Sequence, residues 1–237
     1  MMLFQLGLPY YCLGILIVFK EVNMKQIKSL APLLFMLMLG CSTVDNVPSD
    51  YQLSSDSDNG VLLASVTYSG RFAEHSMLFR KVGSTDWKKL KIGAQHAVMP
   101  PAMFDWDIER PGLRGKVFAV ELPAGEYEFG SWYVGSGVAS TGPVNEFSVK
   151  FDIVPGHALY AGNFHFVKEA SIAVLFARFN VQLVDEFERD APLIRQKFSA
   201  LNMSYVDNNV AQIDTLARLG GGGATQVVFP MPVPVTY

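Results

Sequence analysis

The stretch FSVKFDIVPGHALYAGNFHF, residues 147–166, decides the fold. Its first part, from Phe147 to Ile153, alternates apolar with polar residues, which is typical of a β-strand with one buried face. Pro155 and Gly156 then occupy the two central positions of a turn, where they favour a type II turn. Aromatic residues return after the turn, and we expect them to share one face of a second strand: Tyr160, Phe164 and Phe166.

The same plan occurs earlier, in VELPAGEYEF at residues 120–129, where a turn separates two strand-like segments. We interpret both stretches as β-hairpins. The segments SMLFRKV (76–82) and WKKLKI (87–92) flank the turn-forming GSTD and predict another hairpin. Strands with turn signals at short spacing favour a sandwich or a barrel. The expected fold class is therefore mainly β, a single antiparallel β-sandwich.

A short helical appendage is expected at the C-terminal end of the sandwich. Asp190 is a suitable N-cap, Pro192 is tolerated in a first helical turn, and apolar residues follow at helical spacing. A second short helix is predicted over residues 208–219, and the glycine run at 220–223 is expected to end it and to act as a hinge. Prolines at alternate positions between 230 and 234 predict an extended tail.

The length and the charge of the chain limit its class. At 237 residues, of which 50% are hydrophobic and 17% charged, the chain is long enough for one well-formed core. Residues 1–40 hold three lysines and one glutamate, so the remainder carries 16 basic and 21 acidic residues, a net charge of −5. The sequence shows no basic stripe with interleaved aromatic residues, and we therefore expect no nucleic-acid partner.

The stretch LMLGC, residues 37–41, ends an apolar run near the start of the chain. If translation starts at Met24, a basic n-region and an apolar h-region lead up to a small glycine, as in a secretory signal. The last four residues of the stretch resemble the lipobox of bacterial lipoproteins. This resemblance implies that the signal is removed and that Cys41 carries diacylglycerol and a further acyl chain such as palmitate.

Two alternatives stay open for this part of the chain. Leu3 to Phe19 is barely long enough for a transmembrane helix, which needs about 20 apolar residues. Cys41 would then be a buried thiol in a signal anchor. The true start is Met1 or Met24, so residues 1–23 are either an over-extended start or an extra hydrophobic segment.

The composition also divides the rest of the chain. Residues 24–40 form the predicted lipoprotein signal peptide, and residues 41–59, rich in serine and aspartate, form a predicted flexible tether. Residues 60–202 are assigned to the β-sandwich domain with its trailing helix. Residues 203–237 contain the short helix, the glycine hinge and the proline-rich tail.

Residues 115–200 carry a second resemblance. The segments LPAGEYEF, YAGNFHF and VQLVDEFERDAPLIRQKF are similar to those of a group of uncharacterised bacterial lipoproteins. This resemblance implies a prealbumin-like β-sandwich with a trailing helix. It implies no activity and assigns no functional residue.

Three acidic residues lie at alternate positions in FDWDIERPG, residues 104–112: Asp105, Asp107 and Glu109. In a strand they would share one face. Their spacing resembles the D-x-D-x-E core of chitinase-like glycosidases, in which the glutamate is the acid. That family has a (β/α)₈ barrel, which this chain is too short and too poor in helices to form. We interpret the acids as a charged loop or edge strand, with a weak cation site or a glycan-cleaving hydrolase as alternatives.

Trp132 and Tyr133 are adjacent on a predicted strand, so one of the two rings is expected to face outward. They are candidate ligand-binding residues, with core packing as the alternative. The sequence predicts no cofactor and no metal site. We expect a non-enzymatic binding or structural module of the bacterial cell envelope, with an envelope protein or a glycan as partner. Ser42 follows the cysteine, which by resemblance to enterobacterial lipoproteins implies the outer membrane, facing the periplasm or the surface.

Overall fold

The structure is a computed structural model of the chain. It describes these residues: 42–70, 72–95, 103–137, 139–173, 176–203, 206–210, 216, 218–224 and 226–227. They belong to the second of the two units into which the chain divides, Cys41–Tyr237. Predictions for residues 1–41 and 228–237 lie outside the described residues. Within the described ranges, no helix is long and apolar enough to span a bilayer.

Fourteen strands and one α-helix make up the described part of the chain. The strands are β1 (Ser42–Thr43), β2 (Asn59–Ser69), β3 (Glu74–Lys81), β4 (Lys88–Ile92), β5 (Ile108–Arg110), β6 (Leu113–Pro123), β7 (Gly125–Ser136), β8 (Ala139–Thr141), β9 (Val149–Ile153), β10 (Ala158–Ala173), β11 (Phe176–Val184), β12 (Val206–Asn208), β13 (Gly223–Ala224) and β14 (Gln226–Val227). The helix is α1 (Phe187–Lys197).

The strands form two mixed sheets. Sheet I has the order β1-β4-β3-β7-β8-β14, and β9 also pairs with β7. Sheet II has the order β13-β11-β10-β2-β6-β5, and β12 also pairs with β10. The predicted mainly β, sandwich-like fold with a short helix is confirmed. Most pairs are antiparallel, but β1 with β4, β2 with β10 and β10 with β12 are parallel.

Aromatic side chains fill the space between the two sheets. Phe129 of sheet I lies 4.5 Å from Phe164 of sheet II, measured between ring centroids. Trp132 meets Phe166 edge-on at 6.2 Å. All four residues are buried, and rings in these tilted arrangements stabilise a core beyond the area that they bury.

The predicted hairpin over residues 76–92 is confirmed, since β3 and β4 pair in antiparallel fashion, whereas the other two predicted hairpins prove to be connections between sheets. The turn after Pro123 leads from β6 in sheet II to β7 in sheet I. The turn at Pro155 and Gly156 leads from β9 in sheet I to β10 in sheet II. The turn signals were therefore located correctly, whereas the pairing partners were wrong. Local sequence specifies a turn, but which strand lies alongside depends on long-range packing.

The prediction that Tyr160, Phe164 and Phe166 share one strand face is also wrong. The pairing of β10 with β2 shifts register between Tyr160 and Asn163. Gly162, with a φ of +103°, lies at this irregularity. An extra residue in a strand reverses the alternation of side chains, so Tyr160 faces α1 while the two phenylalanines face the core.

Helix α1 begins before the predicted N-cap. It starts at Phe187, whose backbone N–H donates to Asp185 Oδ1 at 3.0 Å, and Pro192 lies inside it. Asp190 thus lies within the helix and is fully buried against sheet II. Its carboxylate accepts hydrogen bonds from Tyr160 and Ser65, which compensate for the loss of water. The described residues of the predicted second helix include β12 and an isolated bridge at Leu216, not α-helix.

The predicted flexible tether packs against the sandwich instead. Ser42 and Thr43 pair with β4, and Val47 is buried. The backbone N–H of Val47 donates to the carbonyl of Ala119 at 2.8 Å, and the N–H of Ala119 donates to Asn46 Oδ1 at 2.9 Å. These few specific contacts could not be predicted from the serine- and aspartate-rich composition of the segment.

The glycine run joins the two sheets, and is not a simple hinge. Gly223 pairs with β11 in sheet II, while Gln226 pairs with β8 in sheet I. The carbonyl of Gly220 accepts hydrogen bonds from the backbone N–H groups of Val144 and Asn145 at 3.1 and 2.9 Å. The run therefore closes one side of the sandwich.

Candidate functional site

Trp132 is part of the core. Its side chain is only 1% exposed, and its indole N–H donates to the carbonyl of Leu219 at 2.9 Å. The structure therefore favours the core-packing alternative for this residue. A ring without an exposed face has no surface on which a sugar or a peptide could stack.

Tyr133 is the outward-facing ring of the pair. It is half-buried, and its hydroxyl donates to Gln95 Oε1 at 3.0 Å. Burial and the nearby Glu74 carboxylate raise the pKa of its phenol. The side chain is thus fixed on the outer face of sheet I, in a hydrogen bond within the protein.

A groove of about 670 Å³ lies on this outer face of sheet I. Its floor comes from β3 and β7, one wall carries Trp87, and the other wall is the loop at 143–148. The volume is in the range of sites that hold small ligands. The groove does not include Trp132 or Tyr133, although Gly130 and Ser131 next to them line it.

The centre of the groove is an ordered arrangement of charge and aromatic surface. The Arg80 guanidinium lies 4.4 Å from the ring centroid of Trp87, which is a cation–π contact. Arg80 Nε also donates to Glu128 Oε1 at 2.8 Å, and Ser148 Oγ donates to Glu128 Oε2 at 2.7 Å. These two hydrogen bonds lower the pKa of Glu128, so its carboxylate is charged at neutral pH. The groove thus presents a cation, an anion and an indole.

The backbone holds these groups in place. Gly130 lies beneath Trp87, and a Cβ at this position would come within 3.0 Å of the indole Cη2. The opposite wall is fixed at Val144 and Asn145 by their hydrogen bonds to Gly220. Both walls therefore rest on strands or on a bonded turn, which is how a site keeps its shape before a ligand arrives.

Trp87 was not among the residues predicted from the sequence, although its signal is present there. In WKKLKI, Leu90 and Ile92 are buried. Because side chains alternate along a strand, Trp87 lies on the opposite face, with Lys89 and Lys91. An aromatic residue on the lysine-bearing face of a strand is the pattern that could have identified it.

The three acids of FDWDIERPG do not form a site. Asp107 accepts from Lys197 Nζ at 2.6 Å and from the backbone N–H of Val117 at 2.9 Å. Glu109 accepts from Arg114 Nε at 3.2 Å, and Asp105 is exposed. Of the three, only Glu109 is in a strand. It lines a smaller cavity of about 330 Å³, whose lining contains neither aspartate.

A buried polar cluster lies between α1 and sheet II. Asp190 is its fully buried carboxylate, and Arg189 Nε donates to Asp190 Oδ1 at 2.8 Å. Arg189 Nη1 also lies 3.6 Å from the partly exposed Glu186 carboxylate. Thr67 connects Asn163 and His165, with 3.0 Å to Asn163 Oδ1 and 2.8 Å to His165 Nδ1. Burial and the Arg189 charge lower the pKa of His165.

None of the side chains of this cluster lines either cavity described above. Their hydrogen bonds instead satisfy one another beneath the helix, which is how buried polar groups are normally accommodated. We therefore assign the cluster a structural role, that of fastening α1 to sheet II.

Among the described residues, no group of three or more histidine, cysteine, aspartate or glutamate side chains is placed to hold a metal ion. Comparison of the chain with family models, with curated proteins and with solved structures finds no match. The groove at Trp87 is the candidate functional site.

Proposed function

We propose that this protein is a lipid-anchored lipoprotein of the bacterial outer membrane that acts as a non-enzymatic binding module. The lipobox resemblance at LMLGC supports the anchor. The groove on sheet I supports the binding role. Its occupant is a small polar group that belongs to a component of the envelope.

The observation that carries this proposal is the Arg80–Glu128 pair beside Trp87. An aromatic face with a guanidinium and a carboxylate, both oriented by hydrogen bonds, recognises ligands that combine polar or charged groups with a small apolar surface. The one hydroxyl that donates to this carboxylate, on Ser148, meets a weak base, because the hydrogen bonds from Arg80 and Ser148 lower the pKa of Glu128. Binding is therefore a better account of the groove than catalysis.

The glycan-cleaving alternative has less support. In the D-x-D-x-E arrangement a neighbouring carboxylate raises the pKa of the glutamic acid, and the substrate itself supplies the nucleophile. Asp107 and Glu109 are each engaged with a different basic partner, Lys197 and Arg114. No second function is proposed for these acids.

Retention assays with three envelope fractions test the binding role. Purified protein is mixed with peptidoglycan sacculi, with lipopolysaccharide or with phospholipid vesicles, and the bound fraction is measured for wild type and for Trp87→Ala. We expect wild type to be retained on one fraction and Trp87→Ala to lose most of that retention while its circular dichroism spectrum is unchanged. Tyr133→Phe is the matched control, since this ring lies outside the groove. Equal retention of wild type and Trp87→Ala would contradict the proposal.

A further inference from the structure

The start of the described chain lies directly beside the groove. The backbone N–H of Ser42 donates to the carbonyl of Trp87 at 3.2 Å, and the N–H of Val44 donates to the carbonyl of Lys89 at 3.2 Å. In the sequence, a single peptide bond joins Cys41 to Ser42. If Cys41 bears the acyl chains, no long spacer separates the bilayer from Trp87.

The edge next to the attachment point has the composition of a membrane-contacting surface. Strand β4 carries Lys88, Lys89 and Lys91, and two of these lysines share the single carboxylate of Glu74, at 3.5 and 3.3 Å. With Glu74 and the exposed Asp45 and Asp86 counted against the three lysines, this edge has no net charge, in a chain whose net charge is −3. Tryptophan and lysine both favour the interface between headgroups and acyl chains, where an apolar body and a polar tip are solvated together.

The groove has the charges that a zwitterionic headgroup would complement. A guanidinium binds phosphate oxygens by paired hydrogen bonds, and Arg80 provides one. A carboxylate and an indole face both attract an ammonium group, and Glu128 and Trp87 provide these. The guanidinium and the carboxylate are 2.8 Å apart at their closest atoms, so neighbouring opposite charges of one ligand can reach both.

We propose that the β1–β4 edge rests on the membrane that holds the lipid anchor, and that the groove binds a phospholipid headgroup carrying a phosphate and an ammonium group. This inference rests on the proposed function, because it needs acylation at Cys41. It adds the ligand class and the orientation of the domain: sheet I meets the bilayer at its β1–β4 edge.

Fluorescence quenching by brominated lipids tests the orientation. Full-length, lipidated protein is reconstituted into vesicles of phosphatidylcholine brominated near the headgroup, and its tryptophan emission is compared with that of Trp87→Phe. With Trp106→Phe present in both proteins, we expect quenching when Trp87 is intact and its loss in Trp87→Phe, because the remaining Trp132 is shielded in the core. If Trp87→Phe does not fold, Trp87→Tyr gives the same comparison. Equal quenching of wild type and variant overturns the inference.

A headgroup comparison tests the ligand class. Replacement of the brominated phosphatidylcholine by brominated phosphatidylethanolamine is expected to increase quenching in wild type, because a primary ammonium donates hydrogen bonds to Glu128. We expect Glu128→Gln to lose this preference and Glu126→Gln, outside the groove, to keep it. A preference that persists in Glu128→Gln, or is absent in wild type, overturns the headgroup assignment. Free phosphorylethanolamine as a competitor distinguishes binding of the headgroup alone from binding that needs the bilayer.

The mass of the same reconstituted protein separates the two proposals. If Cys41 carries no acyl group, the proposed function fails and the inference fails with it. If Cys41 is acylated but Trp87 contributes no quenching, the anchor stands and the docking inference alone is overturned.

Discussion

Tyr160 donates its phenolic hydroxyl to Asp190 Oδ2 at 2.6 Å, across the interface between sheet II and α1. Burial and the Asp190 charge raise the pKa of the phenol, so it keeps its proton and donates at neutral pH. The same carboxylate accepts from Ser65 and pairs with Arg189, whose side chain is only 10% exposed. One residue therefore connects the helix to two strands.

Replacement of Asp190 tests this connection. Asp190→Ala leaves the nearly buried Arg189 with only the longer ion pair to the partly exposed Glu186, at 3.6 Å, and leaves the Tyr160 hydroxyl without its acceptor. Breaking a buried pair in this way typically costs about 3–5 kcal/mol of unfolding free energy. Glu188→Ala, on the exposed side of the same helix, is the control and should cost about 0.5 kcal/mol or less. Urea denaturation monitored by circular dichroism measures both. Nearly equal stabilities would mean that the cluster does not fasten the helix.

His75 makes the stability of the fold depend on pH. It is fully buried and stacks on Tyr68 at 4.6 Å, and burial lowers its pKa to about 3. The unfolded chain takes up the proton below about pH 6.5, whereas the folded protein does not, so stability is lost as the pH falls from about 6.5 towards 3. His165, whose pKa is also lowered, acts in the same direction.

His75→Phe removes one of these groups and keeps the stacked ring. Between pH 6.5 and 4.5, wild type should lose about 2–3 kcal/mol more unfolding free energy than the variant, since one pH unit corresponds to about 1.4 kcal/mol per group. Denaturant titrations at the two pH values give this difference. The same pH dependence in both proteins would show that His75 titrates normally.

Gly223 tests whether the glycine run closes the sandwich. A Cβ at this position would lie 2.2 Å from the carbonyl oxygen of Gly142 and 2.4 Å from Trp132 Cη2. We expect Gly223→Ala to lose about 1–3 kcal/mol of stability through overpacking and to change the emission of Trp132. Gly142, the residue that Gly223 touches, provides the control. A Cβ at Gly142 would meet only the carbonyl oxygen of Trp132, at 3.4 Å, so Gly142→Ala should cost little stability. An unchanged emission spectrum for Gly223→Ala would argue for a loose hinge.

Asn46 tests the packing of the segment that follows Ser42. Asn46→Ala leaves the buried backbone N–H of Ala119 without an acceptor, which costs about 1–3 kcal/mol. We also expect faster proteolysis within residues 48–58. Asp45→Ala, an exposed neighbour, should behave as wild type. Rapid cleavage of this segment in wild type would contradict its packing against the sandwich and would support the flexible tether predicted from the sequence.

The sequence predicted the elements better than their partners. The alternation of apolar and polar residues around Phe151 predicted a strand. Any strand with one buried face shows this two-residue period, whichever strand it pairs with. Its partner could not be predicted, since the Pro155 turn is equally compatible with a hairpin and with a connection between sheets. The position of Tyr160 depends on a one-residue irregularity at Gly162, which residue patterns do not reveal.

The candidate site was harder to predict than the fold. Trp132 was a candidate because tryptophan often binds ligands. Side chains alternate along β7, however, and Trp132 lies on the face that packs in the core. The alternation in WKKLKI marks Trp87 as outward-facing, but its role as a groove wall depends on β3, β7 and the loop at 143–148. A groove formed by segments far apart in sequence has no local signature.

Cys41 is the residue through which we propose that the domain is attached to a membrane. Intact mass spectrometry and labelled-palmitate incorporation, applied to wild type and to Cys41→Ser expressed in a bacterial host, test this attachment. We expect a mature chain that begins at Cys41 and carries the added mass of its acyl groups, with label in wild type and none in Cys41→Ser. A mature wild-type chain that still contains residues 24–40, or label retained in Cys41→Ser, would contradict it.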